Sequence, residues 1–357
     1  MDDRKLDFLL GALSPTGFCG YYSQILKDTD GTKAALLKAA PGCGKSTLLR
    51  RLADALVASG ETVELIHCSA DPASLDGVVC PKRKLSVVDA TAPHSLEPEY
   101  PIAFEDVISL YSAVDREALQ VNRRQLVTLY RQYRALCERT TRYITAAGSL
   151  LQDSMRVAAA CTDLVKAKSF ANTLMHKYIP HATTSASEHI RLLSAVTLNG
   201  QIFYSDTIQK LAKTLVVFDD EFGVASKAIL FALREDAIAK GHEVITCYCS
   251  MSPYDKIEHL FIPALSLGFA TSNEYHTLDF PTQRTIHCTR FCDKTGLRLR
   301  RKRLRFNKKA IAELFYQASL IQKEAKACHD EIERYYIEAL DTDALDKAFT
   351  DLCALYL

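Results

Sequence analysis

The chain has 357 residues, 48% of them apolar, and its 44 basic and 43 acidic side chains leave a net charge of +1. This length suffices for two domains, and the charge balance argues against a protein that acts mainly through attraction to nucleic acid. No apolar run approaches the roughly 20 residues that span a bilayer, and the N-terminus lacks a signal-peptide layout, so we expect a cytoplasmic protein. The 12 cysteines are scattered along the chain, which favours reduced thiols over a disulfide framework.

The first informative segment is an apolar strand followed by the loop APGCGKST, residues 40–47, and by an amphipathic helix. The loop carries the Gly-Lys-Ser of the Walker A motif. Gly42 and Gly44 allow a tight turn that points backbone N–H groups at an anion. Lys45 supplies positive charge for the β- and γ-phosphates, and Ser46 offers a hydroxyl to Mg²⁺. The full set of predicted phosphate-binding residues is Pro41, Gly42, Cys43, Gly44, Lys45, Ser46 and Thr47.

Three acidic residues downstream are candidates for the accompanying chemistry. Asp89 ends the apolar strand in VVDATAPH, which is the position of a Walker B carboxylate that holds Mg²⁺. Asp71 and Asp76 lie in SADPASLDG, where each could orient water or support the metal, although capping of the loop explains them equally well. No glutamate follows Asp89 directly, so the sequence does not identify a catalytic base.

A proline-free segment, residues 115–178, follows with apolar or small residues three and four apart. This spacing predicts a coiled-coil-like helical hairpin that turns near Gly148. Its basic excess contrasts with the acidic excess of a second helical segment, residues 307–357. The two segments could be separate solvated faces, or they could pack together with their opposite charges setting the register.

The second half of the chain repeats the first. Without a gap, residues 36–60 align with residues 217–241, so that Gly42 matches Gly223 and Gly60 matches Gly241. The similarity extends to LLGALSPTG against LLSAVTLNG, and to VELIHCSADP against VITCYCSMSP. A period of about 180 residues indicates two copies of a domain rather than a solenoid. Strands that alternate with helices predict a parallel sheet in each copy.

The repeat separates residues of the scaffold from residues of the chemistry. Gly44, Lys45 and Ser46 become Ala225, Ser226 and Lys227, and Asp89 becomes Thr271. Residues 38–40 become Asp219-Asp220-Glu221, whose charges would repel a triphosphate. We therefore expect a degenerate second site. Residues kept in both copies, including His94 as His276, are expected to serve the fold.

Two further clusters allow competing interpretations. RLRRKRLR, residues 298–305, has six basic residues out of eight, and could bind nucleic acid or another polyanion, act as an arginine finger or lid, or form an exposed charged hairpin. A zinc site could be built from some of the cysteines and histidines of the second copy, but their spacing fits no compact pattern, and core cysteines are favoured. These residues are Cys247, Cys249, His287, Cys288 and Cys292.

The motifs KAAPGCGKSTLL, HCSADPASLDGVVCP and VVDATAPH resemble a family of uncharacterised bacterial ATP-binding proteins with two tandem P-loop domains. The resemblance covers essentially the whole chain, including the helical segments, and it implies ATP binding. In that family both copies usually look like complete P-loops, so this chain departs from the pattern in its second copy.

The resulting expectation is an α/β protein with two tandem P-loop NTPase domains, each with a parallel sheet and a following coiled-coil-like helical segment. The boundaries are 1–114 for the intact domain, 115–180 for the helical hairpin, 188–306 for the degenerate domain and 307–357 for the C-terminal helical segment. ATP and Mg²⁺ are the expected ligands, and ATP hydrolysis is the expected activity. The alternatives are a small-molecule or nucleotide kinase and a nucleotide-gated binding module with little turnover, and the helical segments could bind a protein partner. No Asn-Lys-x-Asp motif for guanine is present.

Overall fold

The computed structural model describes residues 3–26, 32–183 and 185–356. Strands and helices alternate in both halves of the chain. The elements of the first half are β1 (Lys5–Phe8), β2 (Gly11–Ser14), β3 (Gly17–Gly20), β4 (Lys33–Lys38), α1 (Lys45–Ala58), β5 (Val63–His67), β6 (Leu75–Cys80), β7 (Leu85–Asp89), β8 (Glu105–Ser109), α2 (Arg116–Val121), α3 (Arg123–Ala159) and α4 (Leu164–Tyr178).

The second half repeats this succession, with a helix, α5, in place of a short 3₁₀ turn. Its elements are β9 (Ser187–Arg191), β10 (Ser194–Thr197), β11 (Gly200–Phe203), α5 (Ser205–Leu211), β12 (Thr214–Asp219), α6 (Val224–Ala239), β13 (Glu243–Cys249), β14 (Ser252–Ile262), β15 (Leu267–Ser272), β16 (Arg284–His287), α7 (Lys294–Leu299), α8 (Arg301–Glu338) and α9 (Thr342–Tyr356).

The protein is a mixed α/β structure built on two six-stranded sheets with the same strand order. The first sheet runs β1-β5-β6-β7-β4-β8, and the second runs β9-β13-β14-β15-β12-β16. The aligned residues of the repeat therefore occupy equivalent positions in the two sheets. Within the described ranges, no helix is long and apolar enough to cross a bilayer.

The expectation of wholly parallel sheets is wrong for one strand in each sheet. Strand β6 is antiparallel to β5 and β7, and β14 is antiparallel to β13 and β15. The connection from β5 to β6 spans residues 68–74, and the one from β13 to β14 spans residues 250–251. Connections this short cannot form the crossover that a parallel neighbour needs, so each chain segment turns back beside the strand that it has just left.

The helical segments also differ from expectation. Helix α3 continues through Gly148, where a turn is predicted, and ends only at Ala159. Gly148 lies against the turn between β2 and β3 instead, since a Cβ there would come within 2.3 Å of the Pro15 side chain. The expected boundary between residues 306 and 307 falls inside α8. The basic run, residues 298–305, is helical rather than a hairpin, because it spans the end of α7 and the start of α8.

The two long helices pack against each other as an antiparallel pair. Tyr130 of α3 lies opposite Tyr336 of α8, with their hydroxyls 3.3 Å apart, whereas Asp153 near the other end of α3 pairs with Arg303. The two segments therefore lie together, as one of the two interpretations expects. The Asp153–Arg303 pair joins an acid of the more basic segment to a base that precedes the acidic segment, residues 307–357, so the net charges of the two segments do not explain this contact.

The shorter helices that follow are exchanged between the halves. Helix α4 packs against α6 of the second half. Helix α9 packs against the first half, where Leu352 and Tyr356 join the core beneath α1 and Phe349 lies under the Arg51 guanidinium at 3.8 Å. Each sheet is thus covered on one side by a helix that the other half supplies.

The two sheets meet at their edge strands. Leu9 and Leu192 exchange backbone N–H···O bonds of 2.9 and 2.8 Å just beyond β1 and β9. Arg191 forms an ion pair of 2.7 Å with Glu64 across this junction, and both side chains are about 95% buried. Because a buried charge without its partner is costly, this pair ties the halves into a fixed arrangement.

Candidate functional site

The first loop, residues 39–44, connects the buried strand β4 to the start of α1. Gly42 and Gly44 adopt φ angles of +74° and +72°, which favour glycine. Ala39, Ala40 and Cys43 are buried and anchor the loop on the core. The glycines predicted from the motif therefore occupy the backbone conformation that the motif requires.

Lys45 lies at the first position of α1, and its ammonium group points back over the loop. Its Nζ donates to the carbonyl oxygens of Ala39 at 3.1 Å and of Ala40 at 3.0 Å. It also lies 3.4 Å from Asp89 Oδ2 at the end of β7. The structure thus brings the two principal site residues predicted from sequence into direct contact, because β4 and β7 are parallel neighbours.

A second carboxylate and a histidine lie beside Asp89. Acceptor atoms of Asp76, Asp89 and His94 all lie within 4.8 Å of one another, and the three side chains are buried. Asp76 accepts a hydrogen bond of 3.0 Å from the Tyr22 hydroxyl and lies 3.5 Å from His94 Nε2. Burial lowers the pKa of His94, but the Asp76 and Asp89 carboxylates outweigh it and hold the pKa above its ordinary value. This group is the kind of donor set that holds a divalent cation.

The other predicted site residues are placed less directly. Ser46 Oγ accepts a hydrogen bond of 2.9 Å from the backbone of Leu75, and Thr47 is exposed. Asp71 caps its own loop by accepting hydrogen bonds from the backbone N–H of Ala73 and the hydroxyl of Ser74. Loop capping is one of the two roles that the sequence allows for it. Of the two secondary candidates, Asp76 is thus beside Asp89, and Asp71 serves the loop.

Sequence reasoning missed the residues that cover the first loop from the second half. A Cβ on Gly42 would come within 2.8 Å of the Glu333 carbonyl oxygen on α8, and one on Gly44 would come within 2.6 Å of Leu345 on α9. Earlier in α8, Lys326 forms an ion pair of 3.5 Å with Asp71. The sequence indicates only that each half is followed by a helical segment. It contains no local pattern that predicts which half such a segment contacts.

The second loop, residues 220–223, has the same position between β12 and α6, but it contains its own anion. The Asp220 carboxylate is buried and accepts from the backbone N–H of Gly223 at 3.0 Å and of Ser226 at 2.8 Å. In the first loop the equivalent residue is Ala39. Gly223 keeps a φ of +68°, but Ala225 replaces Gly44 and is helical, so that α6 begins two positions earlier than α1.

A lysine from another strand neutralises this internal anion. Lys256 of β14 lies against the second loop, since a Cβ on Gly223 would come within 2.9 Å of its Nζ. The same ammonium lies 3.2 Å from the Glu258 carboxylate. Burial opposes the charged form of Lys256, but Cys249, Glu258 and Asp220 together outweigh it and raise the pKa. The second loop is therefore filled by a carboxylate and an ammonium group of the chain itself.

The remaining charges of the second loop point elsewhere. Asp219 pairs with His287 at 2.7 Å, and Lys227 pairs with Asp255 at 2.7 Å. Glu221 is exposed at the edge of a cavity, and partial desolvation raises the pKa of its carboxyl. The expectation that three carboxylates meet at the loop mouth is wrong in this respect, because only Asp220 turns inward. The second loop thus already holds an anion of the chain itself, the Asp220 carboxylate.

The cysteines and histidines of the alternative zinc site do not converge. His287 is exposed and bonded to Asp219, while Cys288 donates to the carbonyl of Ile286 and Cys292 to that of Cys288. Among the described residues, no group of three candidate metal ligands combines these side chains.

Comparisons of the chain with protein-family models, with curated proteins and with solved structures found no match.

Proposed function

We propose that the chain is a two-unit P-loop protein that binds Mg-ATP at the first loop and hydrolyses it, while the second loop no longer binds nucleotide. The proposal rests on the Walker A and Walker B residues and on one structural contrast. Asp220 occupies the second loop as an anion, whereas the first loop has the methyl group of Ala39 at that position and Lys45 beside it.

The second loop indicates what the first loop is suited to bind. Backbone N–H groups of Gly223 and Ser226 donate to a carboxylate, and the aligned groups in the first loop belong to Gly42 and Lys45. A helix N-terminus with such amides favours an anion. In the first half the anion would come from outside the chain, and the Lys45 ammonium would add charge matched to a polyphosphate.

The residues near Asp89 fit a magnesium ion. Mg²⁺ prefers oxygen ligands, and it is usually held by one or two carboxylates together with substrate phosphates. Asp89 and Asp76 supply carboxylates, and the Ser46 hydroxyl keeps its proton and one lone pair after accepting from Leu75. When bound, the ion would neutralise charge on the phosphates.

The side chains around Asp89 would orient the reacting groups. Asp76 is held by Tyr22 and His94 and so presents a fixed carboxylate, which makes it the better candidate of the two secondary aspartates for positioning a water molecule. Lys45 would exchange its two loop carbonyls for phosphate oxygens, since these carbonyls are its present acceptors.

A nucleotide-gated module with little turnover is the second candidate. It is favoured by the contacts of Glu333 and Leu345 with the glycines of the first loop. Both residues belong to helices that follow the second sheet. A conformational change of the first loop would therefore displace residues of the other half directly.

The test is to measure ATP binding by calorimetry and phosphate release in the wild type, Lys45→Ala and Asp89→Asn. Lys45→Ala should lose tight binding, and Asp89→Asn should lose the magnesium dependence of turnover. Lys227→Ala is the matched control, because it removes the lysine that lies one position beyond the alignment of Lys45 in the second half and pairs with Asp255, and it should change little. Equal loss in Lys45→Ala and Lys227→Ala would contradict the proposal. Tight ATP binding without phosphate release would reject the ATPase and support the nucleotide-gated module.

A further inference from the structure

Behind the second loop, three potential metal ligands converge in the interior. They are Glu258 and His259 of β14 and His276, which follows β15, and their exposed fractions are 3%, 1% and 3%. One ligand atom from each lies within 4.8 Å of the others. Buried groups of this kind are normally paired, and His259 is not.

His259 is the unsatisfied member of the group. Among the described residues, neither its Nδ1 nor its Nε2 has a hydrogen-bond partner. A neutral imidazole has one nitrogen lone pair, and no described donor uses the one on His259. An imidazole that is buried in this way and lacks partners loses the hydrogen bonds that water would have provided.

The sheet makes room for His259 by a paired substitution. His259 lies opposite Ala270 in the second sheet, and the equivalent pair in the first sheet is Gly77 opposite Val88. A Cβ on Gly77 would come within 2.8 Å of the Val88 side chain. The second half therefore has the larger residue on one strand and the smaller residue on its neighbour, which opens the space that an imidazole needs.

The other ring is held with one nitrogen toward the same point. His276 Nε2 lies 2.7 Å from the Thr271 hydroxyl, and its Nδ1 lies 3.9 Å from Glu258 Oε1. With Nε2 as the donor, Nδ1 presents its lone pair toward Glu258. Phe203 packs against both imidazoles, with ring centroids 5.4 and 5.5 Å away. A hydrogen bond that fixes the tautomer and an apolar wall are the usual surroundings of a metal-ligating histidine.

Two members of the group, Glu258 and His276, line a cavity of about 70 Å³, which is more than one water molecule needs. Glu258, His276 and Cys249 line it from the second sheet, and Met155 of α3 and Phe315 of α8 close it from the opposite side. The cavity provides space for a ligand that would complete the coordination of an ion. The Cys249 thiol lies close enough to Glu258 to share a hydrogen bond with it.

We propose that Glu258, His259 and His276 form a binding site for a divalent transition metal of the zinc class, with an open coordination position toward the cavity. Two imidazoles and one carboxylate are a ligand set that Zn²⁺ accepts and that Mg²⁺ does not favour. The equivalent group in the first half is Asp76, Asp89 and His94, which is richer in oxygen. Replacement of Asp89 by Thr271 and of Gly77 by His259 thus changes the metal preference between the halves.

The neighbouring Lys256 does not remove the carboxylate from the site. Lys256 Nζ lies 3.2 Å from Oε1, and Ser194 Oγ donates to Oε2 at 3.2 Å. Each carboxylate oxygen has two acceptor positions, so both contacts leave a lone pair for an ion. The Asp220 carboxylate in the second loop offsets the charge of the ammonium group.

The test uses the full chain, treated with a chelator and titrated with Co²⁺, whose visible absorption reports coordination, and with Zn²⁺ measured by mass spectrometry. We expect one equivalent per chain in the wild type. His259→Phe keeps an aromatic ring but removes both ring nitrogens, and Glu258→Gln keeps the side-chain shape. Each should weaken binding by at least about 100-fold. Circular dichroism of both variants checks that they are folded.

Two controls separate this site from others. His287→Ala removes an exposed histidine and should bind metal as the wild type does. Asp89→Asn disrupts the group in the first half and should also retain the equivalent. Wild-type protein that binds no metal would overturn the proposal on its own, without any variant. Loss of the metal in Asp89→Asn but not in His259→Phe would overturn it by placing the ion in the first half.

Discussion

The Asp220 carboxylate accepts a hydrogen bond from the backbone N–H of Ser226 at 2.8 Å. With its second bond to Gly223, it holds the start of α6 in the way that an external anion would. The sequence of this loop, with its three consecutive acidic residues, predicts only electrostatic repulsion of a triphosphate. The structure adds that one of these acids supplies the negative charge that the loop amides require.

Asp220→Ala should therefore destabilise the fold. The substitution leaves the buried N–H of Ser226 without its acceptor and leaves that of Gly223 with only a longer bond of 3.3 Å to the backbone carbonyl of residue 220. A buried N–H group without an acceptor costs about 1–3 kcal/mol in the free energy of unfolding. The substitution also leaves Lys256 with one fewer negative neighbour. Urea unfolding measures the change. Asp219→Ala is the control, because Asp219 is half-exposed and pairs with an exposed His287; a loss as large as that of Asp220→Ala would show that charge at the loop mouth, rather than the internal bonds, is responsible.

Nucleotide should stabilise the wild type by mass action. A ligand that binds only the folded state at 100 times its Kd adds about 2.7 kcal/mol to the free energy of unfolding. Unfolding with and without Mg-ATP measures this increment, and Lys45→Ala should abolish it. Lys227→Ala should retain it, because Lys227 is engaged with Asp255 outside the second loop. An increment that survives in Lys45→Ala would place the nucleotide elsewhere.

Much of the fold could be predicted because the same succession of strands, loops and helices is encoded in both halves of the chain. Gly42 and Gly223 align without a gap, and both have positive φ at the same place between strand and helix. The apolar face of α1, Leu48, Leu49 and Leu52, is buried as its helical spacing indicates. Local features of this kind depend on neighbours in sequence, which is why one sequence suffices to predict them.

The remaining features depend on contacts between distant residues. The turn predicted near Gly148 fails because this glycine accommodates Pro15 rather than a bend. Each helical segment is expected to pack on the half that it follows. Instead, α4 of the first half packs against the second half, and α9 of the second half packs against the first. The sequence offers Asp71 and Asp76 equally as residues that orient water or support the metal. Only the antiparallel pairing of β6 with β7 brings Asp76 beside Asp89.

Stability should fall on the acid side as Glu188 is protonated. Burial alone would raise the pKa of this carboxyl, but hydrogen bonds from Arg234 and Thr246, each 2.6 Å to Oε1, outweigh it and lower the pKa. A lowered pKa in the folded state gives stability that is complete above the ordinary pKa and lost as pH falls through the lowered one. The contribution of Glu188 should thus be constant above about pH 5.5 and shrink below it.

Glu188→Gln measures that contribution. The variant should be less stable than the wild type by about 1.5–3 kcal/mol at pH 7, the range for hydrogen bonds to a charged group, and the difference should narrow toward pH 3 in urea titrations. Glu243→Gln is the control, since Glu243 is half-exposed and lies 3.8 Å from His189. A difference for Glu188→Gln that stays constant with pH would mean that packing, rather than its charge, stabilises this position.

The exchanged position of α9 predicts that the C-terminus stabilises the first half. Leu352 is fully buried in the core beneath α1, together with Leu49 and Leu52, whereas Leu355 on the same helix is 56% exposed. Leu352→Ala should cost about 2–5 kcal/mol, the range for a buried leucine that leaves a cavity, and Leu355→Ala should cost little. Because Leu345 of the same helix contacts Gly44, Leu352→Ala should also weaken ATP binding measured by calorimetry. Equal effects of the two variants on stability would show that α9 does not pack on the first half in solution.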